Sequence, residues 1–182
     1  DRLDYSKGLP ERIDALEKLS AMDADLVQKL LFVQIAPPSR EDVLSYQHIR
    51  TVLEQKTGQF NGAHSTFDMV PIRYVNQGFN RAQLFGFYRA AAIGFVTPLR
   101  DGMNLVAKEY VAAQRPENPG VLVLSRFAGA AEQLTDAILV NPHSPEEVAL
   151  GLKQAMDMPL SERQTRWERL NAVVQGADVI RW

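Results

Sequence analysis

The chain has 182 residues, of which 46% are hydrophobic and 23% charged, a composition typical of a globular protein and not of a disordered or collagen-like chain. It contains no cysteine, which excludes disulfides, thiolate zinc sites and a cysteine nucleophile. A net charge of -2 gives no general attraction to nucleic acid or an anionic membrane, and the longest apolar stretch is far shorter than the ~20 residues that span a bilayer. We therefore expect a cytoplasmic protein without a nucleic-acid or membrane partner.

Helical periodicity alternates along the chain with short apolar runs that are typical of buried strands. Such alternation predicts a parallel sheet with helices on both faces, so we expect one α/β, doubly wound domain over residues 1–182. The predicted elements are, in chain order, a helix over 9–22, a buried strand over 29–36, a helix from Ser39 to Gly58, a loop over 59–70, a strand over 72–76, a helix over 80–91, a strand over 93–97, a loop over 98–103, a helix over 104–114, a strand over 121–125, a short helix over 128–134, a strand over 137–141, and helices from Pro145 and from Ser161 to the end.

Two candidate anion-binding positions lie near predicted helix N-termini, as expected for ligand sites at the carboxyl ends of parallel strands. Arg2 and Lys7 precede the first helix, where two cations and free backbone amides would suit a phosphate. Arg40 lies in the first turn of a later helix, where a cation opposes the helix dipole and therefore suggests an anionic ligand. A charged surface turn and an ordinary solvated arginine are the respective alternatives.

The loop and helix over residues 97–110 form a third candidate site. Gly102 can adopt backbone conformations that other residues avoid, and Asn104 is a favourable N-cap, so the following amides could hold a diphosphate. Glu109 lies on the same side of the predicted helix, where a carboxylate could bind two ribose hydroxyls. A surface salt bridge is the alternative for Glu109. The sequence lacks G-x-G-x-x-G, so it has no dinucleotide-binding fingerprint.

Four segments in this order, DRLDYSKGLP, APPSR, TPLRDGMNLVAKEY and NPGVLVLSRFAGAA, resemble the C-terminal, donor-binding half of the trehalose-6-phosphate synthase family. The likeness covers essentially the whole chain and implies the Rossmann-like lobe of a retaining GT-B glycosyltransferase. It implies transfer of glucose from UDP-glucose to glucose 6-phosphate, giving α,α-trehalose 6-phosphate and UDP. It also implies no metal ion or other cofactor, and a homo-oligomer.

The resemblance also assigns roles to individual residues. Arg2 and Lys7 match residues that hold the donor phosphates, and Asp101 matches one that holds hydroxyls of the transferred glucose; these three are the expected catalytic residues. Arg40 matches an arginine that binds the phosphate of glucose 6-phosphate. The remaining donor-binding residues implied are Phe79, whose backbone would meet the uracil, and Gly102, Met103, Asn104, Leu105, Val106, Ala107, Lys108 and Glu109, with Glu109 on the ribose hydroxyls.

The N-terminal acceptor lobe of that family has no counterpart here, and the sequence opens on Asp1 instead of methionine. We therefore expect a fragment that is inactive alone. One alternative is a related enzyme with another acceptor, such as a glucosylglycerol-phosphate synthase or a pseudo-glycosyltransferase. Another is a non-catalytic regulatory domain that binds a sugar nucleotide; we would expect it to lack Arg2, Lys7, Asp101 or Glu109, and all four are present.

Overall fold

The computed structural model describes residues 1–39 and 44–176 of the chain. Short 3-10 turns lie at Tyr5–Lys7 and Gly129–Glu132. The α-helices and strands are α1 (Leu9–Met22), α2 (Ala24–Val27), β1 (Phe32–Ile35), α3 (Leu44–His64), β2 (Ile72–Val75), α4 (Arg81–Ala90), β3 (Ile93–Val96), α5 (Leu105–Ala113), β4 (Val121–Ser125), β5 (Ile138–Val140), α6 (Pro145–Asp157) and α7 (Leu160–Gly176).

The described residues divide into two compact units. Unit one comprises 1–39, 44–78 and 142–150, and unit two comprises 79–141 and 151–176. Every strand pair is parallel: β1 with β2 in unit one, and β3, β4 and β5 in that order in unit two. The predicted α/β class with parallel strands is confirmed, with the strand pairs distributed over two sheets.

In unit one, α1 packs its apolar stripe inward, because Leu9, Ile13, Leu16 and Leu19 recur at helical spacing and are all essentially inaccessible to solvent. β1 is shorter than predicted and is not fully buried, since Val33 is 44% exposed. The short helix α2, which was not predicted, lies just before the predicted start of this strand at residue 29. A four-residue helix gives too few repeats for periodicity to reveal it.

The predicted end of α3 at Gly58 is wrong, because the helix continues to His64. Phe60 is only 2% exposed, and the side-chain amide of Asn61 donates to the Ile72 carbonyl (2.9 Å) and accepts from its amide (3.0 Å). These contacts with β2 hold the helix past its glycine. Residues 40–43, which follow the predicted start at Ser39, lie outside the described residues.

Unit two is built around β4, all five residues of which are buried, as expected for a central strand of a parallel sheet. Its core also takes side chains from α5, the second 3-10 turn and α7, including Ala107, Val111, Ala131 and Leu170. None of the described helices combines the length and apolarity needed to cross a membrane.

Candidate functional site

The segment that carries Arg2 and Lys7 is folded by Asp4 at its centre. Asp4 Oδ1 accepts hydrogen bonds from the amide (2.9 Å) and the hydroxyl (2.8 Å) of Ser6. Asp4 thereby caps the N-terminus of the turn Tyr5–Lys7. Asp4 Oδ2 accepts from the Tyr46 hydroxyl at 3.1 Å. Gly8 then takes a left-handed conformation (φ 65°) that leads the chain into α1, which begins with Leu9 and Pro10. The backbone on both sides of Lys7 is thereby fixed.

Electrostatics keep Asp4 ionised. Burial by itself raises the pKa of this carboxyl, but the hydrogen bonds from Ser6 and Tyr46 and the charge of Arg2 together hold the pKa below its ordinary value. Arg2 stays mostly in solvent, with a side chain 60% exposed and its Nε 3.9 Å from Asp4 Oδ2. Its guanidinium is therefore accessible to an anion.

Arg12 anchors this segment from inside unit one. Its guanidinium is 3% exposed and lies 2.6 Å from the Asp1 carboxylate, 3.1 Å from Gln34 Oε1 and 3.3 Å from the Lys7 carbonyl. Burial lowers the pKa of Arg12 to about 9, which leaves the group charged at neutral pH. Sequence reasoning missed this residue, because an arginine inside a helical pattern gives no sign that it is buried.

Most candidate site residues of unit two lie in or just after the loop that joins β3 to α5. We call this loop, residues 98–104, the Asp101 loop. Asn104 caps α5, its Oδ1 accepting from the Ala107 amide at 3.1 Å, as predicted. Its Nδ2 donates to Asp101 Oδ2 at 3.1 Å, and the Met103 amide lies 3.5 Å from Asp101 Oδ1. The Asp101 carboxylate is thereby oriented.

The left-handed residue of this loop is Asn104 (φ 74°, ψ 87°) and not Gly102. Asparagine visits this region more readily than other residues with a Cβ, because its short side chain can hydrogen-bond locally. A Cβ on Gly102 would meet no atom within 4 Å, so neither strain nor protein packing requires glycine there.

Glu109 lies half-buried on α5, about one turn after Leu105, the first residue of the helix. Within residues 1–39 and 44–176, its carboxylate has no hydrogen bond or ion pair, so the surface salt bridge considered as an alternative is not formed there. The N–H groups of Leu105 and Val106, at the start of the helix, have no intrahelical acceptors. The helix therefore offers backbone donors at its N-terminus and a carboxylate acceptor along its side.

The sequence model of Glycosyltransferase family 20 matches residues 1–182. This chain belongs to that family. Trehalose-6-phosphate synthases of Sodalis glossinidius and Escherichia coli O157:H7 are 52% and 51% identical to it over 182 residues, covering 100% of this chain but 39% and 38% of those proteins. The chain thus spans about two fifths of the length of the curated relatives it matches.

Solved structures of the family match equally well. An α,α-trehalose-phosphate synthase (UDP-forming) from Burkholderia xenovorans, in complex with glucose-6-phosphate, has a TM-score of 0.98 at 51% identity and covers 100% of this chain and 40% of that chain. An E. coli protein bound with UDP-2-fluoro glucose gives the same TM-score, identity and coverage. The predicted fold, the Rossmann-like lobe of a GT-B glycosyltransferase, is confirmed.

Not all residues that the family 20 resemblance assigns to the donor are equally accessible. Ala107 is completely buried and its amide is occupied by the Asn104 cap, while the Lys108 ammonium donates to Gln133 Oε1 at 2.7 Å. Leu105, by contrast, is 64% exposed. Phe79 packs edge-on against Phe87, with ring centroids 5.2 Å apart.

Arg40, which the resemblance assigns to the phosphate of glucose 6-phosphate, lies outside the described residues. In the part of the chain that the structure describes, no cluster of three or more His, Asp or Glu side chains is arranged to hold a metal ion.

Sequence reasoning gave no role to the segment after β4, although this segment flanks the Asp101 loop. A depression of about 280 Å³ in unit two is lined by residues 100–102 on one side and by 126–129 and Glu132 on the other. The contact joins residues more than twenty positions apart, so no local pattern could have revealed it.

Proposed function

We propose that the protein containing this chain transfers glucose from UDP-glucose to glucose 6-phosphate with retention, giving α,α-trehalose 6-phosphate and UDP. The observation that carries the proposal is the 52% identity over all 182 residues to a trehalose-6-phosphate synthase. It is supported by glucose-6-phosphate and UDP-2-fluoro glucose in the structures of similar proteins. We also propose that residues 1–182 form one nucleotide-sugar-binding lobe and that the whole protein is a homo-oligomer.

In this proposal the cations of unit one act on the donor diphosphate. Negative charge grows on the diphosphate as the bond from glucose C1 to the phosphate oxygen breaks, and Arg2 and Lys7 offset that charge. Arg2 is suited to this role because most of its side chain is exposed while Asp4 lies beside it. We propose that these residues and the N-terminal amides of α5 fulfil the usual role of a divalent cation.

In unit two, Asp101 accepts hydrogen bonds from hydroxyls of the transferred glucose, and Glu109 accepts them from the ribose. Asp101 orients the sugar and does not attack it. The acceptor hydroxyl attacks C1 from the face that UDP leaves, the new C–O bond forms as the old one breaks, and the proton passes to the departing phosphate oxygen. This course retains the anomeric configuration without a covalent glycosyl-enzyme.

The test is product analysis with the full-length protein, UDP-glucose and glucose 6-phosphate. Arg2→Ala and Lys7→Ala should each lower kcat/KM for UDP-glucose. Each loss should correspond to about 3 kcal/mol of transition-state stabilisation, as when other charge-assisted hydrogen-bond donors are removed. Arg40→Ala should instead raise KM for glucose 6-phosphate and leave UDP binding nearly unchanged. Lys29→Ala, which removes an exposed lysine of unit one, is the matched control. EDTA should have little effect.

Three results would contradict the proposal in different ways. Transfer to glycerol phosphate but not to glucose 6-phosphate would indicate another acceptor. Binding of UDP-glucose without turnover would indicate a regulatory domain. Equal loss of UDP affinity in all three arginine and lysine variants would show that donor and acceptor cations are wrongly assigned. Light scattering of the purified protein tests the oligomer separately.

A further inference from the structure

The Asp101 loop is held by a second segment of unit two, residues 127–130. The Asp101 amide donates to the Phe127 carbonyl at 3.2 Å, and the Gly129 amide donates to the Asp101 carbonyl at 3.0 Å. The Ala130 amide donates to the Met103 carbonyl at 2.7 Å. An isolated parallel bridge pairs Asp101 with Ala128. The neighbouring segment thus fixes the backbone of the loop at Asp101 and Met103.

Gly129 lies where the two segments come closest. A Cβ at this position would overlap the Gly102 carbonyl oxygen. It would also lie 2.8 Å from the Gly102 carbonyl carbon and 3.3 Å from the Met103 Cα. These are backbone atoms, which cannot rotate away as a flexible side chain can. Among the described glycines only Gly8 has a positive φ, so Gly129 is required for close approach and not for an unusual backbone conformation.

We propose that Gly129 is a positioning residue for the donor sugar: by letting the 127–130 segment touch the backbone of the Asp101 loop, it sets the position of the Asp101 carboxylate. The inference rests on the proposed role of Asp101 in holding glucose hydroxyls. Gly129 and Ala130 act through the loop, because their amides are already occupied by the carbonyls of Asp101 and Met103. Bulk at Gly129 therefore displaces the loop that binds the sugar.

The experiment compares Gly129→Ala with Gly151→Ala in the full-length protein. A displacement on the order of 1 Å can lower a rate by about 100-fold, so kcat/KM for UDP-glucose should fall by about that factor in Gly129→Ala. Affinity for UDP, which lacks the sugar, should stay close to that of the wild type. Gly151→Ala is a matched steric change elsewhere in unit two, since its Cβ would lie 2.7 Å from Val140 Cγ1. It should lower the midpoint of thermal unfolding and leave kcat/KM unchanged.

A wild-type kcat/KM in Gly129→Ala, or an equal loss in Gly151→Ala, would overturn the inference. So would a parallel loss of UDP and UDP-glucose affinity in Gly129→Ala. If the wild-type protein turned over no UDP-glucose, the proposed function itself would fail, and this result is distinguishable from the others.

A measurement on the wild type does not depend on how well the variants fold. Hydrogen exchange at the amides of Gly129 and Ala130 should be slowed by UDP-glucose more than by UDP, because only the sugar would engage the loop that these amides hold. Equal protection by the two ligands would contradict the inference.

Discussion

The half-buried Glu109 carboxylate has no hydrogen bond or ion pair within the described residues 1–39 and 44–176, so its oxygens are available to a ligand. Burial raises the pKa of the Tyr88 hydroxyl, and the negative charge of Glu109 raises it further. A carboxylate at this position without a partner among the described residues fits the proposed ribose-binding role.

Replacing Glu109 should therefore affect ligand binding more than stability. Glu109→Ala should weaken UDP and UDP-glucose alike, by roughly 1.5–3 kcal/mol for each hydrogen bond to the charged group, and Glu109→Gln should lose less. The free energy of unfolding should change by less than about 0.5 kcal/mol. Calorimetric titration with UDP, UDP-glucose and 2′-deoxy-UDP measures the affinities, and urea unfolding measures the change in stability. A Glu109→Ala variant that prefers the ribose form as strongly as the wild type does would exclude contact with the ribose.

Asp4 gives unit one a defined acid sensitivity. Burial raises its pKa, but the hydrogen bonds from Ser6 and Tyr46 outweigh that effect, so the folded pKa lies below the unfolded value of 3.8. The resulting stabilisation is fully present above the unfolded pKa and is lost as the pH falls through the lower, folded pKa. We expect the free energy of unfolding to decrease below about pH 4.

Asp4→Asn should remove this component, because the amide does not ionise. Urea unfolding at pH 7 should show a loss of about 1–2 kcal/mol in the variant, and the difference from wild type should shrink as the pH falls below about 4. Asp25→Asn, on the exposed surface of α2, serves as the control. A pH dependence that is the same in Asp4→Asn and wild type would assign the acid sensitivity to other groups.

At the scale of elements, α5 is positioned against the sheet of unit two by Tyr110. The Tyr110 hydroxyl donates to the Ala91 carbonyl at 3.0 Å, and its ring lies over Gly94 of β3, where a Cβ would come within 2.6–2.7 Å of three ring carbons. Burial raises the pKa of Tyr110, so its hydroxyl stays protonated and able to donate at neutral pH. The position of α5 therefore depends on a strand residue without a side chain.

Gly94→Ala should destabilise the protein by about 1–3 kcal/mol, because the added methyl overlaps a ring that is already packed. Gly86→Ala, on the exposed face of α4 with open space around it, should instead stabilise by about 0.4–1 kcal/mol through the unfolded state. Urea unfolding of both variants checks the difference. Equal effects would show that the Tyr110 ring can move aside without cost.

Elements and contacts that depend on neighbouring residues in the chain were predictable, whereas those that depend on distant ones were not. Periodicity predicted the bounds of α1 and β4, and the Asn104 cap was readable because it acts on an amide three residues away. The end of α3 was misjudged because Asn61 is held by β2.

The same distinction between local and distant contacts applies to the candidate site. Asp101 and Glu109 stand out in the sequence through their spacing and their resemblance to the family, whereas the contact between Gly129 and Gly102 joins two loops that only the fold brings together. The burial of Arg12 against Asp1 and Gln34 likewise follows from tertiary packing. Local chemistry was thus visible in the sequence, but the packing that supports it was not.

At the scale of the whole molecule, this chain accounts for 39% of the length of a similar trehalose-6-phosphate synthase. A polypeptide of residues 1–182 should therefore form no trehalose 6-phosphate, because glycosyl transfer requires donor and acceptor to be held together. The full-length protein, assayed alongside, should form it, and UDP binding to the short polypeptide reports whether that polypeptide is folded. Synthase activity of the short polypeptide comparable to that of the full protein would contradict this expectation.

The buried ion pair of Arg12 and Asp1 affects how variant surveys of this protein should be interpreted. Because Arg12 also binds the Lys7 carbonyl, its loss would disorganise the segment that presents Arg2 and Lys7, and leaving a buried charge unpaired typically costs about 3–5 kcal/mol. A screen scored by activity alone would then count Arg12, 3% exposed, among residues that contact the nucleotide. Cellular abundance, measured in parallel, would separate it from Arg2, whose loss should leave the amount of protein unchanged.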